Sequence, residues 1–434
     1  MHFVFTPPAD AVAGLLSLPW DQPLSGWTDD RLVEIRQRGI SRHVVRFVAE
    51  AGEVFAIKEI DERLARREHR LLRRLEELGV PAVEALGVVA DRPGLEAALV
   101  TRFLEFSTPY RNLFANPRGV ALTDRLLDAL VELLVRLHLA GFLWGDCSLS
   151  NTLFRHDAGA FAAYLVDAET AELHPTLSDG MRTYDVSLAF ERVGGELYDL
   201  QAGGLLADDV DPIEVAEQVS DRYAALWAEL AREELLQPGD QRYRIAERLR
   251  RLNELGFDVD ELDIVQGPDG NRLRVRTRIA EPGRHRQLLF ARTGIDAGEN
   301  QARRLLHDMQ RYGAHLEADA GRRLREATVA ERWLAERYEP TIAAIPAELA
   351  GKLEPAELYH QVLEHRWYLS EVAGFDVGLS ETIASYVAGV LAGARHEQLT
   401  VLGPPTGELP VLAVDLERST ADDGHRDDRV EGNA

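Results

Sequence analysis

The sequence predicts an α+β fold in which a β-rich region is followed by helices and then by a mainly helical second domain with a β-hairpin. Two runs with strand character, "HVVRFVAE" and "VFAIKEI", are separated by "AGE", which predicts a hairpin with a short turn. An amphipathic helix follows in "DERLARREHRLLRRLEELGVP", where Asp61 is a candidate N-cap and Gly79 and Pro81 end the helix. Beyond residue 256, "NRLRVRTRIAEPGRHRQLLFAR" predicts a hairpin around Pro282 and Gly283.

Length and composition divide the chain into several parts. At about 150 residues per domain, the 434 residues are enough for two or three domains. We place a boundary between residues 235 and 255, where largely helical sequence gives way to the second β-containing region. The predicted parts are an N-terminal extension (1–29), a first domain (30–240), a C-terminal accessory domain (250–400) and a disordered acidic tail (415–434) that is polar and lacks aromatic residues.

Charge and cysteine content disfavour several classes of function. The formal net charge of −24 disfavours non-specific binding to nucleic acid or to anionic membranes. The single cysteine, Cys147, excludes an intrachain disulfide and a cysteine-based zinc site, which fits a reducing compartment. The N-terminus lacks the positive segment of a signal peptide, and no run approaches the roughly 18 apolar residues of a membrane helix. We therefore expect a cytoplasmic protein without a transmembrane segment and without a nucleic-acid partner.

A lysine and a glutamate occupy positions where each needs an oppositely charged partner. Lys58 shares one face of its predicted strand with Val54, Ala56 and Ile60, and a charge on such a face is costly unless it is paired or reaches solvent. Glu68 lies on the leucine stripe of the following helix, four residues after Leu64. Taken singly, each is more simply an edge lysine or a rim glutamate. Taken together, they predict the Lys and Glu pair that positions nucleotide phosphates in protein kinases.

A short polar stretch, "WGDCSLSN", lies between a predicted helix and a strand. It sets Asp146 and Asn151 five positions apart (151 − 146 = 5), and "AYLVDAE" delivers Asp167 at 21 residues after Asp146 (167 − 146 = 21). In protein kinases, a catalytic-loop aspartate accepts the proton of the substrate hydroxyl, an asparagine five residues later binds magnesium, and a further aspartate holds the metal. Magnesium prefers such oxygen ligands together with phosphate oxygens. We predict these roles for Asp146, Asn151 and Asp167, although each alone is more simply a turn former.

These motifs resemble those of the protein kinase-like superfamily. More narrowly, the chain is similar to lipopolysaccharide kinases of the Kdo/WaaP type in actinobacteria, in a group that adds a C-terminal domain of unknown function. The resemblance covers about residues 30–235 and rests on "FAIKEI", "REHRLLRRLEELGVP", "WGDCSLSN" and "LVDAE". It implies a two-lobed kinase fold with ATP in the cleft. It also implies that "LVTRFLE" lies near the hinge, with Thr101 and Phe103 beside the nucleotide.

Several positions depart from the kinase pattern. The glycine-rich loop that covers the phosphates is replaced by "RGISRHVV", which has the single glycine Gly39, and Ser41, Arg42 and His43 are further candidates for that role. Ser148 stands where kinases often have a lysine near the transferred phosphate. The metal motif is Asp-Ala-Glu, and its Glu169 either adds a metal contact or faces solvent.

The predicted function is that of a kinase that uses ATP and Mg²⁺ and phosphorylates a hydroxyl-bearing acceptor. The resemblance suggests a sugar or glycolipid acceptor, while proteins and small metabolites stay open. The alternative is a pseudokinase that acts as a nucleotide-binding scaffold or regulator, with the C-terminal domain contacting a protein partner. A nucleic-acid-binding regulator rests only on the arginines of "NRLRVRTRIA".

One further helix start stands out in the C-terminal domain. In "TGIDAGENQARRLLHDMQ", Asp296 and Glu299 have the spacing of a capping box ahead of a helix. Such an N-terminus either holds a phosphate or is simply a capped helix.

Overall fold

The computed structural model describes residues 1–33, 43–114, 119–231, 234–236, 261–266, 273–278 and 283–394. The side chains of residues 114–122 and of those between 231 and 282 are not described. The predicted phosphate-covering residues Gly39, Ser41 and Arg42 and the predicted acidic tail (415–434) therefore lie outside the described residues. No helix within the described ranges is both long enough and apolar enough to cross a membrane.

The first lobe is built on a six-stranded sheet with the order β1-β5-β6-β4-β3-β2. Its strands are β1 (His2–Phe5), β2 (Leu32–Val33), β3 (Val45–Glu50), β4 (Glu53–Ile60), β5 (Ala85–Ala90) and β6 (Ala97–Arg102). The predicted hairpin is the β3–β4 pair, and its turn residues Ala51 and Gly52 have positive φ angles of 52° and 83°. Strand β1 pairs antiparallel with β5, so the segment predicted as an N-terminal extension contributes to this sheet.

The two faces of strand β4 pack against different parts of the chain. Phe55 and Ile57 join a cluster that includes Trp20 and Trp27 from the N-terminal segment, which also contains helix α1 (Val12–Leu16). Ile60 lies on the opposite face and packs with residues of helix α2 (Glu62–Glu77). Lys58 shares the face of Ile60 by the two-residue period of a strand. The sheet therefore directs Lys58 towards the side that α2 covers.

Helix α2 begins and ends where its sequence predicts. The side chain of Asp61 caps it by accepting from the backbone N–H of Arg63 and Leu64, at 3.0 and 3.2 Å. Gly79 follows the helix at a φ of 67°, in the left-handed region that favours glycine.

The second lobe surrounds a large apolar cluster formed mainly by helices. It comprises β7 (Thr108–Pro109), α3 (Tyr110–Phe114), α4 (Gly119–Leu139), β8 (Phe142–Leu143), β9 (Thr152–Asp157), β10 (Ala160–Leu165), β11 (Glu172–Leu173), α5 (Asp179–Ala202) and α6 (Pro212–Ala231). Strands β9 and β10 form an antiparallel hairpin, with Thr152 opposite Leu165 and Asp157 opposite Ala160. The α+β, two-lobed prediction is confirmed.

The C-terminal part consists of a small sheet and a set of helices. The sheet has the order β12-β14-β13, from β12 (Glu234–Leu236), β13 (Glu261–Gln266) and β14 (Leu273–Arg278). The helices are α7 (Arg284–Thr293), α8 (Glu299–Ala320), α9 (Glu326–Trp333), α10 (Glu339–Ala343), α11 (Ala347–Ala350), α12 (Pro355–Ala373) and α13 (Leu379–Gly389). They bury two apolar clusters, one centred on Trp333 and one on Tyr386.

The predicted hairpin of this region is displaced along the sequence. Strand β14 pairs with β13, which precedes it, and not with the residues after Pro282. The stretch "RHRQLLFART" instead forms helix α7, which buries Leu289. Its apolar residues are adjacent and do not alternate with polar ones, as those of a half-buried strand would. The side chains of the arginine-rich strand β14 lie outside the described residues.

Candidate functional site

The ammonium group of Lys58 lies between two carboxylates. Its Nζ is 2.9 Å from Oε2 of Glu68 and 3.0 Å from Oδ2 of Asp167, and it is 3.9 Å from Oε2 of Glu169. Glu68 is 1% exposed and projects from the buried face of α2, while Asp167 follows strand β10. The structure thus brings together three residues that the sequence places on a strand, a helix and a strand end.

The charges in this cluster favour a protonated Lys58, and its single ammonium does not neutralise all of the neighbouring carboxylates. Burial by itself lowers the pKa of Lys58, but the negative charges of Glu68 and Asp167 outweigh it, and the pKa of Lys58 is raised. Burial, and then the charge of Asp167, raise the pKa of Glu68 to about 7 despite the nearby ammonium. One ammonium within 4 Å of three carboxylates leaves an excess of negative charge, which a divalent cation would balance.

Lysine is rare in this chain. Lys58 is one of two lysines among 49 Lys and Arg residues. The other, Lys352, is 7% exposed and donates to the backbone oxygens of Leu391 and Ala392 at 3.1 and 2.6 Å. All other basic side chains of the Lys and Arg type are arginines, so the residue type at position 58 occurs at one other position of the chain.

Asp146 and Asn151 are joined to each other across the catalytic-loop candidate. The side-chain amide of Asn151 donates to Oδ2 of Asp146 and to its backbone oxygen, both at 3.1 Å. The backbone N–H of Val166 donates to the backbone oxygen of Asn151 at 3.0 Å, so Asn151 lies beside the residue that precedes Asp167. The hairpin β9–β10 therefore places both predicted metal ligands at one end, where Asp167 contacts Lys58.

The residues at this end of the hairpin fit a magnesium site of the kinase type. No group of three or more His, Cys, Asp and Glu side chains in the described part of the chain has the arrangement of a metal site. A kinase magnesium needs fewer protein ligands, because the phosphates of the nucleotide and water supply the other oxygens. A carboxylate and an amide oxygen are the donors that Asp167 and Asn151 would provide.

Glu169 has a partner in the first lobe. Its Oε2 lies 3.0 Å from Nε2 of His43, and its backbone N–H donates to Oδ1 of Asp167 at 2.9 Å. The side chain therefore links the predicted metal motif to His43, one of the predicted phosphate-covering residues.

The predicted hinge residues lie at the end of strand β6. Thr101 is opposite Ala56 in the β4–β6 pairing, and the backbone N–H of Phe103 donates to the oxygen of Val54 at 2.8 Å. The ring of Phe103 packs edge-on against Phe47, with centroids 5.9 Å apart. From here the chain leaves the first-lobe sheet and enters β7, which pairs with β9 of the second lobe.

A buried aspartate that the sequence analysis missed holds the predicted catalytic loop. Asp185 of α5 is fully buried and accepts from the backbone N–H of Trp144 and Gly145, both at 2.8 Å, and it contacts Nε2 of His138 at 2.9 Å. The other ring nitrogen of His138 lies 2.6 Å from the hydroxyl of Tyr223. Asp185 therefore fixes the two residues that precede Asp146.

Helix α5 contributes two more side chains to the same loop. Nε of Arg192 lies 3.1 Å from Oδ1 of Asp146, and Glu196 accepts from the backbone N–H of Leu149 at 2.7 Å and of Ser150 at 3.0 Å. Arg192 lies 7 positions after Asp185, and Glu196 lies 4 positions after Arg192. These spacings place the three side chains along one face of the helix. Glu68 was identified as an acidic side chain on an apolar helix face. The same signal would have identified Asp185 and Glu196.

Ser148 and Cys147 are internal parts of the loop. Ser148 is 5% exposed, and its hydroxyl accepts from the backbone N–H of Asn151 at 3.2 Å. Cys147 is fully buried, and burial raises the pKa of its thiol well above the usual value, which keeps the thiol neutral. Neither side chain reaches the cleft as a charged group.

The fold and the contacts of Lys58 are consistent with a protein kinase-like domain. Residues 52–186 match the family model of the Lipopolysaccharide kinase (Kdo/WaaP) family, and residues 225–391 match the Domain of unknown function (DUF4032). The chain thus joins a kinase-type phosphotransferase domain to a domain of unknown function, which confirms the resemblance drawn from the motifs. Comparison with curated proteins finds no match.

Proposed function

We propose that the protein is an ATP- and Mg²⁺-dependent phosphotransferase that transfers the γ-phosphoryl group of ATP to a hydroxyl. The observation that carries the proposal is the Lys58 ammonium held at 2.9 Å from Glu68 and at 3.0 Å from Asp167. The Kdo/WaaP match supports a sugar or glycolipid as the acceptor, and we propose that the protein acts in the cytoplasm.

Each residue of the cluster has a role in this proposal. Lys58 binds phosphate oxygens, and Glu68 holds the lysine in place. Asp167 and Asn151 would hold Mg²⁺, which supplies positive charge to the phosphate oxygens when bound. The carboxylate of Asp146 orients the acceptor hydroxyl and accepts its proton. Thr101 and Phe103 at the hinge border the adenine side of the cleft.

Arg192 compensates for the missing lysine at position 148. The side chain of Arg192 is 59% exposed, so its pair with Asp146 is worth no more than about 1 kcal/mol and is readily exchanged. A guanidinium released from Asp146 would be available to the transferred phosphoryl group, and its planar donors match phosphate oxygens. We therefore assign to Arg192 the transition-state charge that a catalytic-loop lysine provides elsewhere.

Replacement of Arg192 with alanine is expected to lower kcat by about 10²-fold, the usual effect of losing one preorganised donor. The KM for ATP should change little, since the arginine acts on the transferring group, and Arg192→Lys should recover part of the rate. Steady-state kinetics with Arg73→Ala as a control tests this, because Arg73 forms an ion pair with Glu76 on the surface of α2. A rise in turnover for Arg192→Ala would instead identify the arginine as an inhibitory block on Asp146.

Nucleotide binding is tested by thermal unfolding with and without Mg²⁺ and ATP. A ligand present at about 100 times its Kd stabilises the native state by about 2.7 kcal/mol. Wild type should therefore melt at a higher temperature with Mg²⁺ and ATP together, and Asp167→Ala should lose this increase. Glu172→Gln is the control, since Glu172 is an exposed acid five positions after Asp167, and its side chain pairs with His174. Equal increases in wild type and Asp167→Ala would contradict the metal assignment.

The acceptor is sought by incubating the protein with γ-labelled ATP and extract fractions of proteins, glycolipids and small metabolites. Label in the glycolipid or sugar fraction supports the proposed acceptor class. A wild-type protein that binds Mg²⁺ and ATP but labels nothing and hydrolyses no ATP would establish the pseudokinase alternative.

A further inference from the structure

The hairpin β9–β10 carries the metal-ligand candidates at one end and contacts the C-terminal domain at its other end. Asn151 precedes strand β9 and Asp167 follows strand β10, while the turn at Ala158 and Gly159 connects the two strands. Both turn residues have positive φ angles, 53° and 85°, which is the geometry of a tight two-residue turn. Each strand has six residues, so the turn and the metal-ligand end are about 20 Å apart.

Asp157, at the end of β9, caps a helix of the other domain. Its carboxylate is 3% exposed and accepts from the backbone N–H of Gln301 at 2.7 Å and of Asn300 at 3.1 Å, at the start of α8. The N-cap residue of α8 is Gly298, which has no side chain to fill this role. The predicted capping box of Asp296 and Glu299 is therefore wrong: Asp296 pairs with Arg286 instead.

Gly298 provides the space that this contact requires. Its φ and ψ angles are −63° and 165°, a conformation open to any residue, so glycine is not needed for the backbone. A Cβ at this position would overlap the carboxylate of Asp157. The absence of a side chain at Gly298 therefore serves the approach of Asp157 to the helix.

A second buried acid secures the turn itself. Oε2 of Glu357, which is 1% exposed and lies on α12, accepts from the backbone N–H of Ala158 and from Nε2 of Gln301, both at 2.9 Å. Arg155 of β9 forms an ion pair with Glu354 beside it. The tip of the hairpin is thus held by both α8 and α12, through buried and charged contacts.

We infer that the C-terminal domain positions the metal ligands of the kinase-like domain through this hairpin, an inference that rests on the proposed function. A two-stranded hairpin is marginally stable alone, and its register depends on how its ends are held. Since Asn151 and Asp167 flank the hairpin, loss of the tip contacts shifts both ligands together. Metal affinity is sensitive to groups that orient ligands without touching the metal. Asp157 and Gly298 act as positioning residues.

The test compares two glycine variants at helix starts of the same domain. Gly298→Ala displaces Asp157, while Gly378→Ala is the matched control: Gly378 is the N-cap of α13, has φ and ψ of −63° and 149°, and has no atom near its Cβ position. We expect the Mg²⁺ concentration that gives half of the ATP-dependent rise in melting temperature to increase about tenfold in Gly298→Ala. Gly378→Ala should match wild type, and so should ATP binding in EDTA for both variants.

A second readout separates this inference from the proposed function. Hydrogen exchange of the peptide that contains Val166 should become faster in Gly298→Ala, since Val166 N–H is bonded to Asn151 at the metal-ligand end. If wild type shows no Mg²⁺-dependent stabilisation, the proposed function fails, while faster exchange still supports positioning. A lower melting temperature with unchanged Mg²⁺ dependence and unchanged exchange overturns the inference. Should Gly298→Ala not fold, Asp157→Asn, which keeps the size and one acceptor of the side chain, decides by the same two readouts.

Discussion

Replacement of Asp146 with asparagine is expected to lower kcat by about 10²- to 10⁴-fold, the range attributed to a positioned general base. Asparagine has nearly the same size and can still accept from Asn151, so the catalytic loop keeps its shape, but it no longer takes a proton from the acceptor hydroxyl. The stabilisation by Mg²⁺ and ATP should therefore remain while phosphoryl transfer is lost. Single-turnover measurements with labelled ATP, beside thermal unfolding, separate the two effects.

Asn151→Ala is the informative comparison for Asp146→Asn. The two side chains share a hydrogen bond of 3.1 Å, so a purely structural role would make both variants fail in the same way. If Asn151 binds the metal, its loss lowers the affinity for Mg²⁺, and higher Mg²⁺ recovers part of the rate because Asp167 remains. Similar loss of nucleotide binding in both variants would rule out separate roles for base and metal ligand.

Replacement of Asp185 with alanine is expected to reduce the free energy of unfolding by about 3–5 kcal/mol. The change leaves the N–H groups of Trp144 and Gly145 and the ring of His138 without their acceptor in a site that is closed to water. Turnover should fall as well, because these N–H groups fix the backbone immediately before Asp146. Urea unfolding followed by circular dichroism measures the first effect.

Asp128→Ala is the control for Asp185→Ala. Asp128 pairs with Arg222 on the surface, where its side chain is 66% exposed, and such pairs contribute about 0–1 kcal/mol. Equal losses of stability in the two variants would mean that the acceptor role of Asp185 has no energetic weight.

Local pattern was sufficient for the parts of the site that lie on regular elements. The two-residue period of β4 orients Lys58, and the leucine stripe of α2 carries Glu68, so each could be assigned from a window of a few residues. The ends of α2 could be predicted equally well, because Asp61 and Gly79 lie within one turn of the helix that they begin and end. These assignments rest on contacts that the neighbouring sequence determines.

Contacts between distant segments could not be predicted from such local patterns. Asp185 binds the loop 40 positions earlier, and Asp157 caps a helix that begins more than 140 positions later. The sequence offered a complete local alternative at that helix, a capping box of Asp296 and Glu299, and the fold replaced it with a buried carboxylate from another domain. Tertiary packing decides such cases, since a buried acceptor binds N–H groups that an exposed one would leave to water.

The scarcity of lysine has a consequence for covalent modification. Acyl groups attach to amines, whereas the guanidinium groups that make up nearly all of the positive charge of this chain stay protonated and unacylated. Acetyl transfer can therefore neutralise the side-chain charge at two positions only, and one of these amines, in Lys352, is buried against backbone oxygens. The remaining target is the ammonium between Glu68 and Asp167. In this protein, acylation of side-chain amines would change the charge of the cluster around Lys58 and leave nearly all of the other positive charge intact.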